Sequence, residues 1–174
     1  VKEGEVVGKG YHAKAGDKHA EVIAIKEAGL KANGATLYIT LEPCSHHGKT
    51  PPCVDLIIQS GIREVVVACK DPNPHVNGGG LDILKTHNIK VVEDILSSQA
   101  TELNKGFFSR MSNGRPYVRS KIATSIDGKT SLKSGDSKWI TSDFARKDVQ
   151  QWRKNACAIT VSYTHLTLPT NGTV

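Results

Sequence analysis

His19-Ala20-Glu21, Pro43-Cys44 and Cys53 are the residues of this 174-residue chain whose types and spacing could do chemistry. One imidazole and two thiols, brought together from rigid elements, supply three of the four ligands of a tetrahedral zinc site; a catalytic site leaves the fourth position to water. Thiolate is the metal-binding form, and the positive N-terminal end of a helix favours it over the thiol. Metal held in this way lowers the pKa of water towards neutrality. Glu21, two residues past the histidine, then need not be a ligand and is placed to carry protons. Taken singly, His19 reads as a helix cap and a cysteine as a small apolar filler. The combination points to metal. A closed structural site is the main rival, with His46 or His47 as its fourth ligand. Cys69, inside the run EVVVACK, reads as core, and so does Cys157.

These residues need elements to hold them. GEVVGKGYH (4–12) reads as the end of a strand, and HAEVIAIKEAGLKANG (19–34) as a helix closed by Asn33 and Gly34. ATLYITL (35–41) alternates like a strand, and TPPCVDLIIQSG (50–61) is a short helix entered through prolines. The strand EVVVACK (64–70), the loop DPNPHVNGGG (71–80), the helix LDILKTHN (81–88), the strand IKVVED (89–94) and one long helix (97–114) follow. Such alternation implies an α/β layered domain with parallel strand pairs. The turn signal NGRP (113–116) marks a boundary. Beyond it come a strand YVRSKIATS (117–125), a polar loop (126–139), an amphipathic helix capped by Ser142, and a strand CAITV (157–161).

Composition bounds the partners. With 38% hydrophobic and 23% charged residues the chain is an ordinary globular one, neither disordered nor fibrous. No run approaches the length of a membrane span and the first residues do not read as a signal peptide, so a cytoplasmic protein without a membrane partner is expected. A net charge of +6 favours anionic partners, whether nucleic acid, a phosphorylated metabolite or a phosphate-bearing cofactor. A solvated, mildly basic surface explains it equally well, because like charges never run in a block.

The zinc deaminases of nucleobases share a pattern H-x-E…P-C-x-x-C in which the glutamate moves protons between water, ring nitrogen and leaving ammonia. Here eight residues, SHHGKTPP, separate the cysteines instead of two. That spacing, with GYHAKAGDKHAE, TLEPCSHHGKTPPC, DPNPHVNGGG and RPYVRSKIATSIDGKTSLKSGDSKWIT, resembles the bifunctional deaminase-reductases of riboflavin biosynthesis, over about Val1 to Ala158. The resemblance implies a cytidine-deaminase-like three-layer αβα domain over 1–113, then the start of a dihydrofolate-reductase-like α/β domain over 114–160. It implies hydrolytic deamination of a diaminopyrimidinone carrying a ribosylamino 5'-phosphate, then NADPH-dependent reduction of the ribose. Carried over by position, His19, Cys44 and Cys53 hold zinc and Glu21 is the proton shuttle. His12, His46, Lys49, Asp71 and Asn73 line the deaminase pocket. Ser137 and Arg153 contact the substrate of the second domain, and Ala123 and Trp139 contact NADPH, with Lys121 and Asp127 nearby. The partner implied is a small phosphorylated pyrimidine, not nucleic acid, and the family leaves room for homo-oligomers.

Two departures from the family set further expectations. The family's N-terminal helix and first strand have no counterpart before Val1, so an open sheet edge is expected. The segment 161–174 shows no likeness to the reductase and reads as extraneous, which would leave the reductase half inactive and NADPH binding impaired. The rival functions are a nucleic-acid base deaminase, which shares H-A-E and P-C, and a non-catalytic fragment stabilised by zinc.

Overall fold

A computed structural model describes residues 1–48, 50–74, 76, 79–162 and 165–167. The chain divides into two compact units, Val1–Val118 and Arg119–Val174. In the first, α1 (Ala20–Ala28) passes through a 3-10 turn, Gly29–Ala32, into β1 (Thr36–Ile39). Then follow α2 (Cys53–Gln59), β2 (Glu64–Val67), α3 (Gly79–Thr86), β3 (Lys90–Val92), α4 (Ser97–Leu103) and α5 (Lys105–Asn113). The three strands form a parallel sheet in the order β1-β2-β3, with Leu37 opposite Val65 and Val65 opposite Val91.

Strand alternation selects the core face. Leu37 and Val65 point into a layer with Ile25 of α1, Val54 and Ile57 of α2 and Leu84 of α3, and Val67 is buried as well. Tyr38, between Leu37 and Ile39, faces the other way and is exposed. Parallel neighbours need crossover connections, which α2 and α3 provide. Truncating Leu84, which has no exposed surface, to Ala is expected to cost about 2–5 kcal/mol in a urea titration. A loss well under 1 kcal/mol would mean that this layer is not close-packed.

The stretch 4–12 is not a strand; among the described residues its ladder contact is an isolated bridge between Lys2 and Glu5. The reason lies in its glycines. A Cβ on Gly8 would collide with the Ala24 carbonyl oxygen and one on Gly10 with that of Ala20, so this backbone lies directly across α1. That path delivers His12 to the start of the helix. The helix expected over 97–114 is two, broken at Asn104, whose φ of −114° is not helical and whose side-chain amide donates to the Ala100 carbonyl at 3.3 Å.

The second unit holds α6 (Asp143–Lys154) and an antiparallel pair, β4 (Ile159–Ser162) with β5 (His165–Thr167). Ser142 caps α6 as its sequence foretold, its Oγ accepting the Ala145 N–H at 3.3 Å. The strand expected over 117–125 is absent. A strand exists through its ladder, and this segment pairs with no described strand; Val118 and Ile122 are exposed. Cys157, expected in a core, is exposed, because it precedes β4 where nothing described covers it. Of the segment 161–174, residues 163–164 and 168–174 lie outside the described residues.

Candidate metal centre

Three element ends converge in the first unit. His19 is the N-cap of α1, with an extended backbone (φ −67°, ψ 160°), and its side chain makes no capping bond to the helix. Cys44 lies just past β1 and Cys53 opens α2. One ligand atom from each lies within 4.8 Å of the others. His19 Nδ1 is 3.2 Å from Cys53 Sγ and 3.6 Å from Cys44 Sγ. Zinc bonds of about 2.0–2.3 Å at tetrahedral angles put neighbouring ligand atoms about 3.5–3.8 Å apart, so the donor set fits that ion in type and spacing.

The surroundings suit such a site. The Cys53 N–H donates to Cys44 Sγ at 3.3 Å, and the Val54 N–H donates to the Cys44 carbonyl at 3.3 Å. Hydrogen bonding from Cys53, with His19 nearby, holds the Cys44 thiol down at about 5. Cys53 is pushed up, first by its contact with Cys44 and then by burial. One sulfur therefore carries the charge in the metal-free site, and a cation is what displaces the second proton. With Nδ1 turned to the sulfurs, the His19 Nε2 pairs with Thr50 Oγ1 at 3.4 Å, an outer partner of the kind that fixes the ring of a ligand.

Among the described residues no fourth His, Cys, Asp or Glu joins the three within that distance. His46 and His47 are both exposed and outside the group, which disfavours the closed structural site. Glu21, in the first turn of α1, is also outside the group. Burial raises its pKa above the usual carboxylate value, while its own backbone N–H pulls the other way. A carboxyl poised to hold a proton beside an open ligand position is the arrangement a proton shuttle needs.

The remaining expected residues separate into groups. The His12 ring sits edge-to-face on that of His19, centroids 5.3 Å apart, and its Nδ1 meets the Lys18 carbonyl at 3.1 Å. Asp71 accepts the Asn73 N–H on Oδ1 at 2.8 Å; burial raises its pKa, and His46 is close enough to act electrostatically the other way. Lys49 lies outside the described residues. Ala123, Ser137, Trp139 and Arg153 all belong to the second unit. There Trp139 is mostly exposed beneath the Arg146 guanidinium, 4.4 Å from its ring centroid, and Arg153 is exposed on α6.

Two residues escaped the sequence reading. Thr50 orients the histidine, and Glu42, a buried carboxylate two residues before Cys44, accepts the N–H groups of Asp71 at 3.1 Å and Gly80 at 3.0 Å. The one available signal was an acidic residue at a strand end, LEPC, which looks alike whether solvated or buried.

Comparison with known proteins agrees with this geometry. A family model described as the cytidine and deoxycytidylate deaminase zinc-binding region matches residues 1–69, and one described as the RibD C-terminal domain matches residues 116–173, a range that runs on through most of the segment 161–174 in which no likeness to the reductase was expected. Riboflavin biosynthesis protein RibD of Escherichia coli is 53% identical over 162 residues, 93% of this chain and 44% of the relative. The diaminohydroxyphosphoribosylamino-pyrimidine deaminase of Buchnera aphidicola is 51% identical over 116 residues, 67% of this chain and 79% of that protein. The crystal structure of a diaminohydroxyphosphoribosylaminopyrimidine deaminase/5-amino-6-(5-phosphoribosylamino)uracil reductase from Thermotoga maritima superposes with a TM-score of 0.81 at 46% identity, over 88% of this chain and 44% of that one. The chain thus spans less than half the length of the bifunctional relatives it matches. Its open three-ligand site, parallel α/β sheet and identity to these proteins place it together with them: the chain belongs to the RibD family of riboflavin-biosynthesis deaminase-reductases.

Proposed function

We propose that the first unit is a zinc-dependent deaminase that replaces the exocyclic amine of a diaminopyrimidinone bearing a ribosylamino 5'-phosphate with oxygen, releasing ammonia. The observation that carries this reading is a three-ligand cluster with no fourth ligand among the described residues and half-buried Glu21 in the same helix turn as His19. His19, Cys44 and Cys53 hold the metal. Zinc bound there supplies Lewis acidity that makes water nucleophilic near neutral pH. Glu21 takes a proton from the attacking water, delivers it to the ring nitrogen, and passes the next to the departing amine as the carbon–nitrogen bond breaks. His12, His46, Asp71 and Asn73 are the hydrogen-bonding groups for the ring and ribose, and Lys49 supplies point charge for the phosphate.

The second part of the chain is assigned to the NADPH-dependent reductase, with Ala123 and Trp139 towards the cofactor and Ser137 and Arg153 towards the ribosyl substrate. The match of residues 116–173 to the RibD C-terminal domain supports that assignment and a boundary near 113/114. No described helix is long and apolar enough to cross a membrane, and a free phosphorylated pyrimidine fits a cytoplasmic setting. The test is direct. Zinc content and ammonia release from the ribosylamino-phosphate substrate are measured on the purified chain, with single-stranded DNA and tRNA as competing substrates. Ammonia from the small substrate alone is expected. Base conversion in nucleic acid, or a zinc-loaded chain inert towards the pyrimidine, would overturn the reading.

A further inference from the structure

Glu42 is the buried charged side chain of the described residues, 4% exposed, and the zinc chemistry above leaves it without a task. Its backbone is fixed to the sheet end, the Glu42 N–H donating to the Cys69 carbonyl at 3.0 Å. Its carboxylate turns inward to two separate backbone donors. Oε2 accepts the Asp71 N–H at 3.1 Å and Oε1 accepts the Gly80 N–H at 3.0 Å. Gly80 lies in the first turn of α3, where N–H groups have no partner within the helix and a negative charge is favoured. A Cβ on Gly80 would collide with the Pro43 carbonyl oxygen, so this turn rests directly on the backbone beside the ligand Cys44. From Asp71 the chain of contacts continues, Oδ1 accepting the Asn73 N–H at 2.8 Å.

We propose that Glu42 is a positioning residue: its carboxylate ties the segment opening at Asp71 and the first turn of α3 to the strand end that carries Cys44, and so sets the distance between the ring-binding side chains and the metal ligands. The strand end also holds the residue two before Asp71, the Glu42 N–H donating to the Cys69 carbonyl at 3.0 Å and the Cys69 thiol to the Thr40 carbonyl at 3.1 Å, and the Glu42 carboxylate extends that hold to Asp71 itself. A carboxylate suits the task because both oxygens accept and neither donates. Glutamine cannot replace it, since its amide would turn an N–H towards one of the two donors. The proposal rests on the deaminase reading only for what Asp71 and Asn73 contact; the tether is a property of the fold.

The experiment compares the zinc-loaded chain with Glu42→Gln by steady-state kinetics, zinc analysis and residue-resolved amide exchange. In the wild type, the Asp71 and Gly80 amides are expected to exchange slowly. In the variant both are expected to exchange at least tenfold faster and KM to rise at least tenfold, while kcat changes less than threefold and zinc stays at the wild-type level. Loss of zinc, a lowered melting temperature with KM unchanged, or wild-type Asp71 and Gly80 amides that exchange like exposed ones would each overturn it. Wild-type protein that releases no ammonia would sink the deaminase reading instead, and the exchange measurement would still decide the tether, even for a variant that folds poorly.

Discussion

Replacing Glu21 by Gln is expected to slow ammonia release by about 10²- to 10⁴-fold while zinc remains bound, the range a positioned acid-base group contributes. The substitution keeps the size of the side chain and removes its ability to accept and return a proton. It leaves the metal untouched, because Glu21 stands outside the ligand group of His19, Cys44 and Cys53. The fold should tolerate it as well. Burial already favours the neutral form of Glu21, so an uncharged amide of the same shape enters a site that penalises charge. The effect belongs in kcat more than in KM, since proton transfer is worth most in the transition state. Unchanged turnover by a zinc-loaded variant would remove Glu21 from the mechanism, and a variant that had lost zinc would show it to be a ligand.

Legibility in the sequence followed the range of the forces involved. The start of α1 at His19, the strand that becomes β1 and the entry into α2 at Cys53 were readable because hydrophobic period and capping are local, although β1 ends at Ile39, before Pro43-Cys44. The parallel sheet followed from the alternation of elements. Gly8 and Gly10 misled, since two valines beside glycines look like a strand end, whereas here glycine is required by a helix backbone passing against it. Residues 117–125 carry the right letters for a strand, yet strand existence depends on a partner that local letters do not name. Glu42 and Thr50 were missed for the related reason that their roles lie in contacts 29 to 38 residues away. The ligand trio was legible despite similar separations, because imidazole and thiols at defined element ends have few other uses in combination.

Removing a ligand tests the centre itself. Cys53→Ala leaves two of three protein ligands and is expected to reduce zinc to background in the purified chain and to abolish ammonia release. The cost exceeds the tenfold to hundredfold that outer partners of a metal site contribute, the class to which Thr50 belongs. Chelation of the wild type should mimic the variant in part. An ion bound only by the folded state at a thousand times its dissociation constant adds about 4 kcal/mol, so metal removal should lower the melting temperature measurably. Proton release offers the more specific signature. Cys44, held at about 5, is already a thiolate at neutral pH, whereas Cys53 is pushed up and keeps its proton until a cation arrives. The charge on Cys44 persists as pH falls from neutrality and is lost only through about 5, so it is already deprotonated when zinc binds at pH 7 to 8. Binding there should release about one proton per zinc, against about two for a pair of ordinary thiols, which are still protonated in that range. Calorimetric titration of the metal-free chain in buffers of different ionisation enthalpy counts those protons. A value near two would show that the sulfurs ionise independently and that the Cys53 N–H and thiol do not stabilise the Cys44 thiolate before the metal arrives.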